Sequence, residues 1–275
     1  RLPLPPAEEG AQAPVSKHGP RNARRPVLRD AARRRLFRTR GSPGSNVPDF
    51  ASVTPSLETR DLTIRFGGHV AVDSVTCSFR PGELTAIVGP NGAGKTTYFN
   101  LISGQLRASA GQVIFNGADI TGMTAPARAR AGLGRAFQLT NLFPGLSVAE
   151  NVRLAVQEQA GEHYDMLRVW SSHRALIARA DDILDEVSLA PRRAALASAL
   201  SHGDQRKLEV ALMIALKPQV FMFDEPTAGM SVDETPVVLD LIARLKQDSS
   251  RIILLVEHKM DVVRSLADRI IVLHN

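Results

Sequence analysis

The residues with the clearest chemical meaning form one glycine-rich stretch about one third of the way along the chain. It satisfies the pattern G-x-x-x-x-G-K-[ST], whose glycines turn tightly and present backbone N–H groups to phosphate oxygens. In such a loop the lysine (Lys95) reaches the β- and γ-phosphates, and the hydroxyl of Thr96 can bind Mg²⁺. We therefore predict a nucleotide-binding loop composed of Gly89, Pro90, Asn91, Gly92, Ala93, Gly94, Lys95, Thr96 and Thr97.

The segments on either side of this loop support the prediction. Leu84–Val88 is a short apolar run typical of a buried strand, and a helical run from Tyr98 to Ser103 follows the loop. A strand, a glycine-rich loop and a helix are the context that phosphate binding requires, because the helix N-terminus adds the positive end of its dipole. The alternative is a turn that only joins two elements, but it leaves the lysine and threonine unexplained.

Two adjacent carboxylates end another apolar run. The segment Val220-Phe-Met-Phe is typical of a buried strand, and Asp224, Glu225 and Pro226 follow it. Ligand-binding groups in open α/β sheets gather where strands end, so Asp224 is placed to hold Mg²⁺ and Glu225 to polarise an attacking water. The alternative is a solvated acidic turn, and the phosphate loop upstream makes the catalytic interpretation the better one.

A third motif precedes the helix predicted from about Ser201 to Leu216. Ser201 can cap this helix, and Asp204 three residues later has the spacing of a capping box. The same serine hydroxyl, the glycine backbone at Gly203 and the helix N-terminus can also form a second phosphate-binding surface. Both interpretations hold together only if the Ser201 hydroxyl can face outward.

Alternating strands and helices position these motifs. Leu57–Phe66 and Val70–Phe79 are predicted to pair across a Gly67-Gly68 turn, and strand–helix alternation then continues to the C-terminal end. Such alternation predicts an α/β fold with a largely parallel sheet, helices on both faces and an antiparallel addition at one side. Residues 147–187 are predicted to be mostly helical.

Charge and composition separate the first 55 residues from the rest. They hold eleven basic and four acidic residues, a surplus of seven that exceeds the +6 of the whole chain. We expect this Arg- and Pro-rich extension to be disordered, because it cannot bury enough apolar surface. Alternatively, it contains a targeting signal or results from a misassigned start. The remainder is slightly acidic, so no nucleic-acid partner is predicted. The single cysteine, Cys77, excludes an internal disulfide.

Together, residues 56–275 resemble the ATP-binding subunit of ABC transporters. The stretch Leu200-Ser-His-Gly-Asp204 is similar to the family signature, and it precedes the Asp224-Glu225 strand as the family has it. The resemblance implies a P-loop NTPase with the ABC ATPase fold: a mostly parallel sheet, an antiparallel β subdomain and a helical subdomain at about 140–215. It implies ATP and Mg²⁺ as ligands, and an ATPase coupled to transport.

The resemblance also assigns roles to three further residues. Gln138 matches the glutamine loop, which senses Mg²⁺ and faces the membrane partner; His258 matches the switch histidine, which contacts the γ-phosphate. Phe66 lies where the family places an aromatic that stacks on adenine. Taken separately, each has an ordinary alternative as a core residue, a surface-loop residue or a satisfied buried histidine. His202, Asp204 and Ser231 depart from the usual family residues.

Within the family, several segments resemble subunits that serve branched-chain amino acid uptake. They are the segments 135–143, 146–151, 208–210, 224–230 and 256–261. The resemblance implies membrane permease subunits, a second ATP-binding subunit, a periplasmic substrate-binding protein as an indirect partner, and a peripheral position on the cytoplasmic face of the inner membrane. Urea or short-chain amide importers remain an alternative, as do a soluble ABC ATPase and a non-catalytic nucleotide-binding module.

Overall fold

A computed structural model describes residues 54–136, 142–161 and 174–274. The predicted extension, apart from its last two residues, and Gln138 therefore lie outside the described residues. The strands are β1 (Leu57–Phe66), β2 (His69–Phe79), β3 (Leu84–Val88), β4 (Ala110–Phe115), β5 (Ala118–Asp119), β6 (Leu133–Ala136), β7 (Val220–Asp224), β8 (Ile252–Val256) and β9 (Arg269–Val272). The helices are α1 (Lys95–Ser103), α2 (Ala125–Ala131), α3 (Val148–Ala160), α4 (Arg174–Glu186), α5 (His202–Leu216), α6 (Thr235–Lys246) and α7 (Met260–Leu266).

A parallel sheet with the strand order β6-β7-β8-β3-β9 forms the centre of the described fold. Every residue of β3, β7 and β8 is buried, as expected for parallel strands that are covered on both faces. Alternate side chains of β7 enter different cores: Phe221 and Phe223 pack with the helices α3 to α6, whereas Val220 and Met222 pack with α1 and the second sheet. The three strands therefore hold their carboxyl ends rigidly.

An antiparallel sheet with the order β2-β1-β4-β5 lies on the α1 side of this core. The predicted hairpin is confirmed, since β1 pairs with β2 from Leu57↔Phe79 to Phe66↔His69 across the two-glycine turn. The described structure therefore has the predicted combination of a parallel sheet, an antiparallel addition and helices. Across the described ranges, no helix combines the length and apolar character needed to cross a membrane.

Two local predictions need correction. The loop helix begins at Lys95 rather than Tyr98, because Gly94 in the left-handed conformation already provides its N-terminal cap. The strand β6 was not predicted at all. It is only four residues long, contains Gly134 and Arg135, and lacks the apolar run of a buried strand. Tertiary pairing with β7 makes it a strand, since Gly134 leaves space that Pro218 and Met213 fill.

Candidate functional site

The phosphate loop folds around the ammonium group of Lys95. The Nζ atom donates to the carbonyl oxygens of Gly89 and Pro90, at 2.8 and 2.9 Å, and the side chain is almost fully buried. Gly94 has a φ of +83°, and a Cβ there would lie 2.2 Å from the carbonyl oxygen of Ala71. Only glycine fits at this position, so β2 and the loop approach each other backbone to backbone.

The carboxylate of Asp224 at the end of β7 is paired with a residue that the sequence analysis assigned no role. Nη2 of Arg135, on the neighbouring strand β6, lies 2.8 Å from Oδ2 of Asp224, and both side chains are buried. Nη1 of Arg135 also donates to Oδ1 of Asn100 and Oγ of Ser103 on α1. Arg135 therefore links the predicted metal-binding carboxylate to the helix that follows the phosphate loop.

Burial and charge act in opposite directions on this pair. Burial raises the pKa of Asp224 above its ordinary value; the guanidinium of Arg135 opposes that shift, and the neighbouring Glu225 adds to it. Burial also lowers the pKa of Arg135, against the stabilising charge of Asp224. Because desolvation is the largest cause for both groups, the pairing offsets only part of the cost of burying two charges.

The structure brings Glu225 and His258 together, although they follow different strands. Oε1 of Glu225 lies 2.5 Å from Nε2 of His258, and both side chains remain partly exposed. Glu225 has a φ of +51°, which is uncommon for a residue with a side chain, and its N–H donates to the carbonyl of Val256. The tertiary structure thus holds Glu225 in a strained turn beside the histidine.

At the N-terminus of α5, the cap predicted from the sequence is present in part. Oγ of Ser201 accepts a hydrogen bond from the N–H of Asp204 at 3.2 Å. The carboxylate of Asp204 forms an ion pair with Lys207 at 2.9 Å, so it does not complete the capping box with Ser201. The charge of Asp204 is therefore paired within α5. Phosphate binding by Ser201, Gly203 and Asp204 stays a prediction.

A second acidic residue contacts this helix N-terminus. A Cβ at Gly203 would lie 2.1 Å from Oε1 of Glu234, so the Glu234 carboxyl group lies directly against the glycine. Oε2 of Glu234 accepts from the N–H and hydroxyl of Ser231, and the Ser231 hydroxyl accepts from the N–H of Glu234. This reciprocal pairing is a capping box before α6. Ser231 therefore has a structural partner within its own chain.

The remaining predicted residues stand apart from this cluster. Phe66 lies at the end of β1 with half of its surface exposed.

No cluster of three acidic, histidine or cysteine side chains that could hold a metal alone occurs among the described residues. The hydroxyl of Thr96 and the carboxylate of Asp224 are nevertheless the hard oxygen donors that Mg²⁺ takes together with phosphate oxygens and water, so the residues fit this ion.

These features define a P-loop nucleotide hydrolase, and comparisons identify its family. The family described as "ABC transporter" matches residues 72–228. The high-affinity branched-chain amino acid transport ATP-binding protein LivG of Escherichia coli (strain K12) is 36% identical over 225 residues, which cover 80% of this chain and 88% of LivG. The chain therefore belongs to the ABC transporter family and is an ATP-binding, ATP-hydrolysing subunit.

Solved structures agree with this assignment. A nucleotide-free ATP-binding cassette from an ABC transporter superposes with a TM-score of 0.67 at 27% identity, covering 80% of this chain and 87% of that one. The dimeric structure of MJ0796, a bacterial ABC transporter cassette, superposes with a TM-score of 0.67 at 24% identity, covering 79% of this chain and 94% of that one. The predicted ABC ATPase fold is confirmed.

Proposed function

We propose that this chain hydrolyses ATP to energise an importer of branched-chain amino acids. The observation that carries the hydrolytic part of the proposal is the order β7-β8-β3 in the parallel sheet, and the similarity to LivG supports the transport part. It places Glu225, His258 and the phosphate loop at the carboxyl ends of three neighbouring strands. Parallel strands gather ligand-binding groups at this edge, and this placement supports a role for these residues in phosphoryl transfer to water.

Each group has one role in the proposed reaction. Lys95 and the N–H groups of the loop bind and orient the phosphates, while Thr96 and Asp224 would hold Mg²⁺, which would supply positive charge against the phosphates. Glu225 accepts a proton from the attacking water. As it does so, the water oxygen forms a bond to the γ-phosphorus, and the bond between the γ-phosphorus and the β,γ-bridging oxygen breaks. His258, held against Glu225, would contact the γ-phosphate. Gln138 is proposed to sense this site.

A single copy would provide only part of the site in this proposal. The Ser201 hydroxyl would bind the γ-phosphate of ATP held in the phosphate loop of a second ATP-binding subunit, while Phe66 would stack on adenine. The Gly203 backbone, which is buried against the Glu234 carboxyl group, would join this surface only after that group moves away. Ser201 is exposed, and the carboxylate of Asp204 is neutralised by Lys207. The dimeric form described for MJ0796 supports this arrangement. ATP would favour the closed pair and hydrolysis would release it.

A membrane permease is the proposed recipient of this movement. An apolar groove of about 370 Å³ lies between α3, α5 and β6, and Phe143, Leu154, Leu212 and Leu216 contribute to its lining. Phe143 is 55% exposed and Leu216 41% exposed, so both side chains leave apolar surface open in this groove among the described residues. A permease segment docked here would place the subunit at the cytoplasmic face of the membrane.

The test is reconstitution with candidate permease subunits and a periplasmic substrate-binding protein in vesicles. ATP-dependent uptake of leucine, isoleucine or valine, lost in the variant Lys95→Met, is the expected result. Uptake of urea or a short amide instead would favour the alternative importer that the form Leu200-Ser-His-Gly also fits. ATP hydrolysis that no permease stimulates would support a soluble ABC ATPase, and absence of hydrolysis would overturn the proposal.

A further inference from the structure

A buried carboxylate beside the catalytic edge has no role in the reaction described above. Glu257 directly follows β8 and is 3% exposed. Its Oε1 accepts hydrogen bonds from the N–H of Thr227 at 3.3 Å and from the hydroxyl of Thr227 at 2.5 Å. Its Oε2 accepts from the N–H groups of His258 at 2.8 Å and Lys259 at 3.2 Å. One carboxylate thus joins two loops.

These four hydrogen bonds use the acceptor capacity of an ionised carboxylate. A buried charge without a cationic partner is tolerated only when such donors replace its lost hydration. No lysine or arginine side chain takes part in these four bonds, which come from backbone N–H groups and one hydroxyl. The loops after β7 and β8 are therefore fixed relative to each other by a network that tolerates little displacement.

The same two loops carry the pair formed by Glu225 and His258. Glu225 lies two residues before Thr227 in a left-handed conformation, and such a conformation persists only where the surroundings impose it. Its N–H donates to Val256, and Glu257 holds the next part of the same turn through Thr227. The backbone of His258 is held by the other oxygen of Glu257.

We propose that Glu257 is a positioning residue for ATP hydrolysis: its buried carboxylate sets the separation and orientation of Glu225 and His258 by holding both of their loops. The inference rests on the proposed function, because it concerns the same catalytic edge. Thr227 has the same positioning role, because it donates the hydrogen bonds that join its loop to Glu257. Nothing in the proposal requires Glu257 to touch ATP, so its loss is expected to change turnover and leave ATP binding nearly intact.

The variant Glu257→Gln keeps the size of the side chain and removes one acceptor oxygen. The amide side chain has two possible orientations. Its NH₂ group faces either the backbone N–H groups of His258 and Lys259 or Thr227. The second orientation is less costly, because the Thr227 hydroxyl can rotate to accept. We therefore expect amide hydrogen exchange to increase more at Thr227 than at His258 and Lys259. The value of kcat should fall about 10- to 100-fold, as for displaced catalytic groups, while KM for ATP changes less than about threefold.

Threonine variants separate positioning from stability. In Thr227→Val the hydroxyl is lost, and kcat should fall in the same direction; in Thr227→Ser the hydroxyl remains, and most of kcat should return. Thr59→Val is the matched control, because Thr59 is also buried and bonded through its hydroxyl, to Tyr98, but lies on β1. The control should keep kcat within about twofold, since any loss of stability there leaves both catalytic loops in place.

The full chain, with its permease where hydrolysis requires it, is assayed for steady-state hydrolysis, ATP affinity and thermal unfolding. If the wild-type chain hydrolyses ATP and kcat is unchanged in both Glu257→Gln and Thr227→Val, the positioning role is overturned. The proposed function then still stands. A drop in Thr227→Val that Thr227→Ser does not restore, or that Thr59→Val shares, would also overturn it. An inactive wild-type chain would instead overturn the proposed function. Should Glu257→Gln not fold, the threonine series decides the outcome.

Discussion

Nε2 of His258 and Oε1 of Glu225 lie 2.5 Å apart, although 33 residues separate them in the chain. They follow β8 and β7, which pair in parallel with Asp224 opposite Val256. Both side chains are partly exposed, so the pair is accessible from the surface at this edge of the sheet. This contact makes the edge formed by β7, β8 and β3 the candidate catalytic centre, and the following predictions test its parts.

Replacing Glu225 by glutamine should stop turnover without preventing ATP binding. Glu225→Gln keeps a hydrogen-bonding group beside His258 but cannot take the proton of the attacking water. Loss of general-base catalysis lowers turnover by about 100-fold or more. Steady-state phosphate release should show this loss, and size-exclusion chromatography with ATP should show an accumulated two-copy form. The control Asp240→Asn, in an exposed pair on α6, should behave as wild type. Normal hydrolysis by Glu225→Gln would remove Glu225 from its role.

Removing the guanidinium beside Asp224 should destabilise the fold in a pH-dependent way. Arg135→Met leaves a buried carboxylate unpaired, which costs about 3–5 kcal/mol of the free energy of unfolding near neutral pH. The control Arg244→Met breaks an exposed pair with Asp240 and should cost at most about 0.5 kcal/mol. Chemical denaturation measures both values, and equal small losses would show that the buried pair contributes little.

The direction of the pH effect follows from the pKa of Asp224. Burial already raises this pKa in the folded protein, and Arg135 opposes the shift. Without Arg135 the folded-state pKa rises further above the unfolded value of about 4, so the folded state binds more protons in the window between the two values. The stability of Arg135→Met should therefore fall, relative to wild type, as pH rises from about 4 toward neutral. A relative stability that increases with pH would contradict this assignment.

Two phosphate-loop glycines should respond differently to alanine. Both have positive φ values, +86° at Gly92 and +83° at Gly94, so each substitution costs about 1–2 kcal/mol of backbone strain. A Cβ at Gly92 has open space within 4 Å, whereas at Gly94 it meets the Ala71 carbonyl. Gly94→Ala should therefore lower the free energy of unfolding by about 1–3 kcal/mol more. Equal losses for the two variants would place β2 further from the loop.

The contact between Gly203 and Glu234 predicts non-additive substitutions. Gly203→Ala must displace the end of the Glu234 side chain, which breaks its capping bonds with Ser231 and costs about 1 kcal/mol. In the background of Glu234→Ala, the same change should cost almost nothing, because the clash and the cap are already gone. A double-mutant cycle measured by chemical denaturation gives the coupling. Additive losses would show that Glu234 does not occupy this space.

Local motifs in the sequence were sufficient to predict most elements and the general chemistry. The phosphate loop, the carboxylates after β7 and the Ser201 cap depend on backbone geometry over a few residues, so their spacing reveals them. The continuous apolar runs of β3, β7 and β8 identify strands buried on both faces. The β6 strand shows the limit, because pairing with β7 overrides a sequence that has no strand pattern.

Only the tertiary structure decided which side chains meet. Arg135 contacts Asp224 across 89 residues and Glu257 contacts Thr227 across 30, and no local periodicity encodes either pairing. The physical reason is that a strand's own residues determine its burial, whereas its neighbours depend on how the whole chain crosses the sheet. The sequence alone therefore determined that this chain binds and hydrolyses a nucleotide. The order of strands decided that Glu225 meets His258 and that Glu257 holds the loops carrying them.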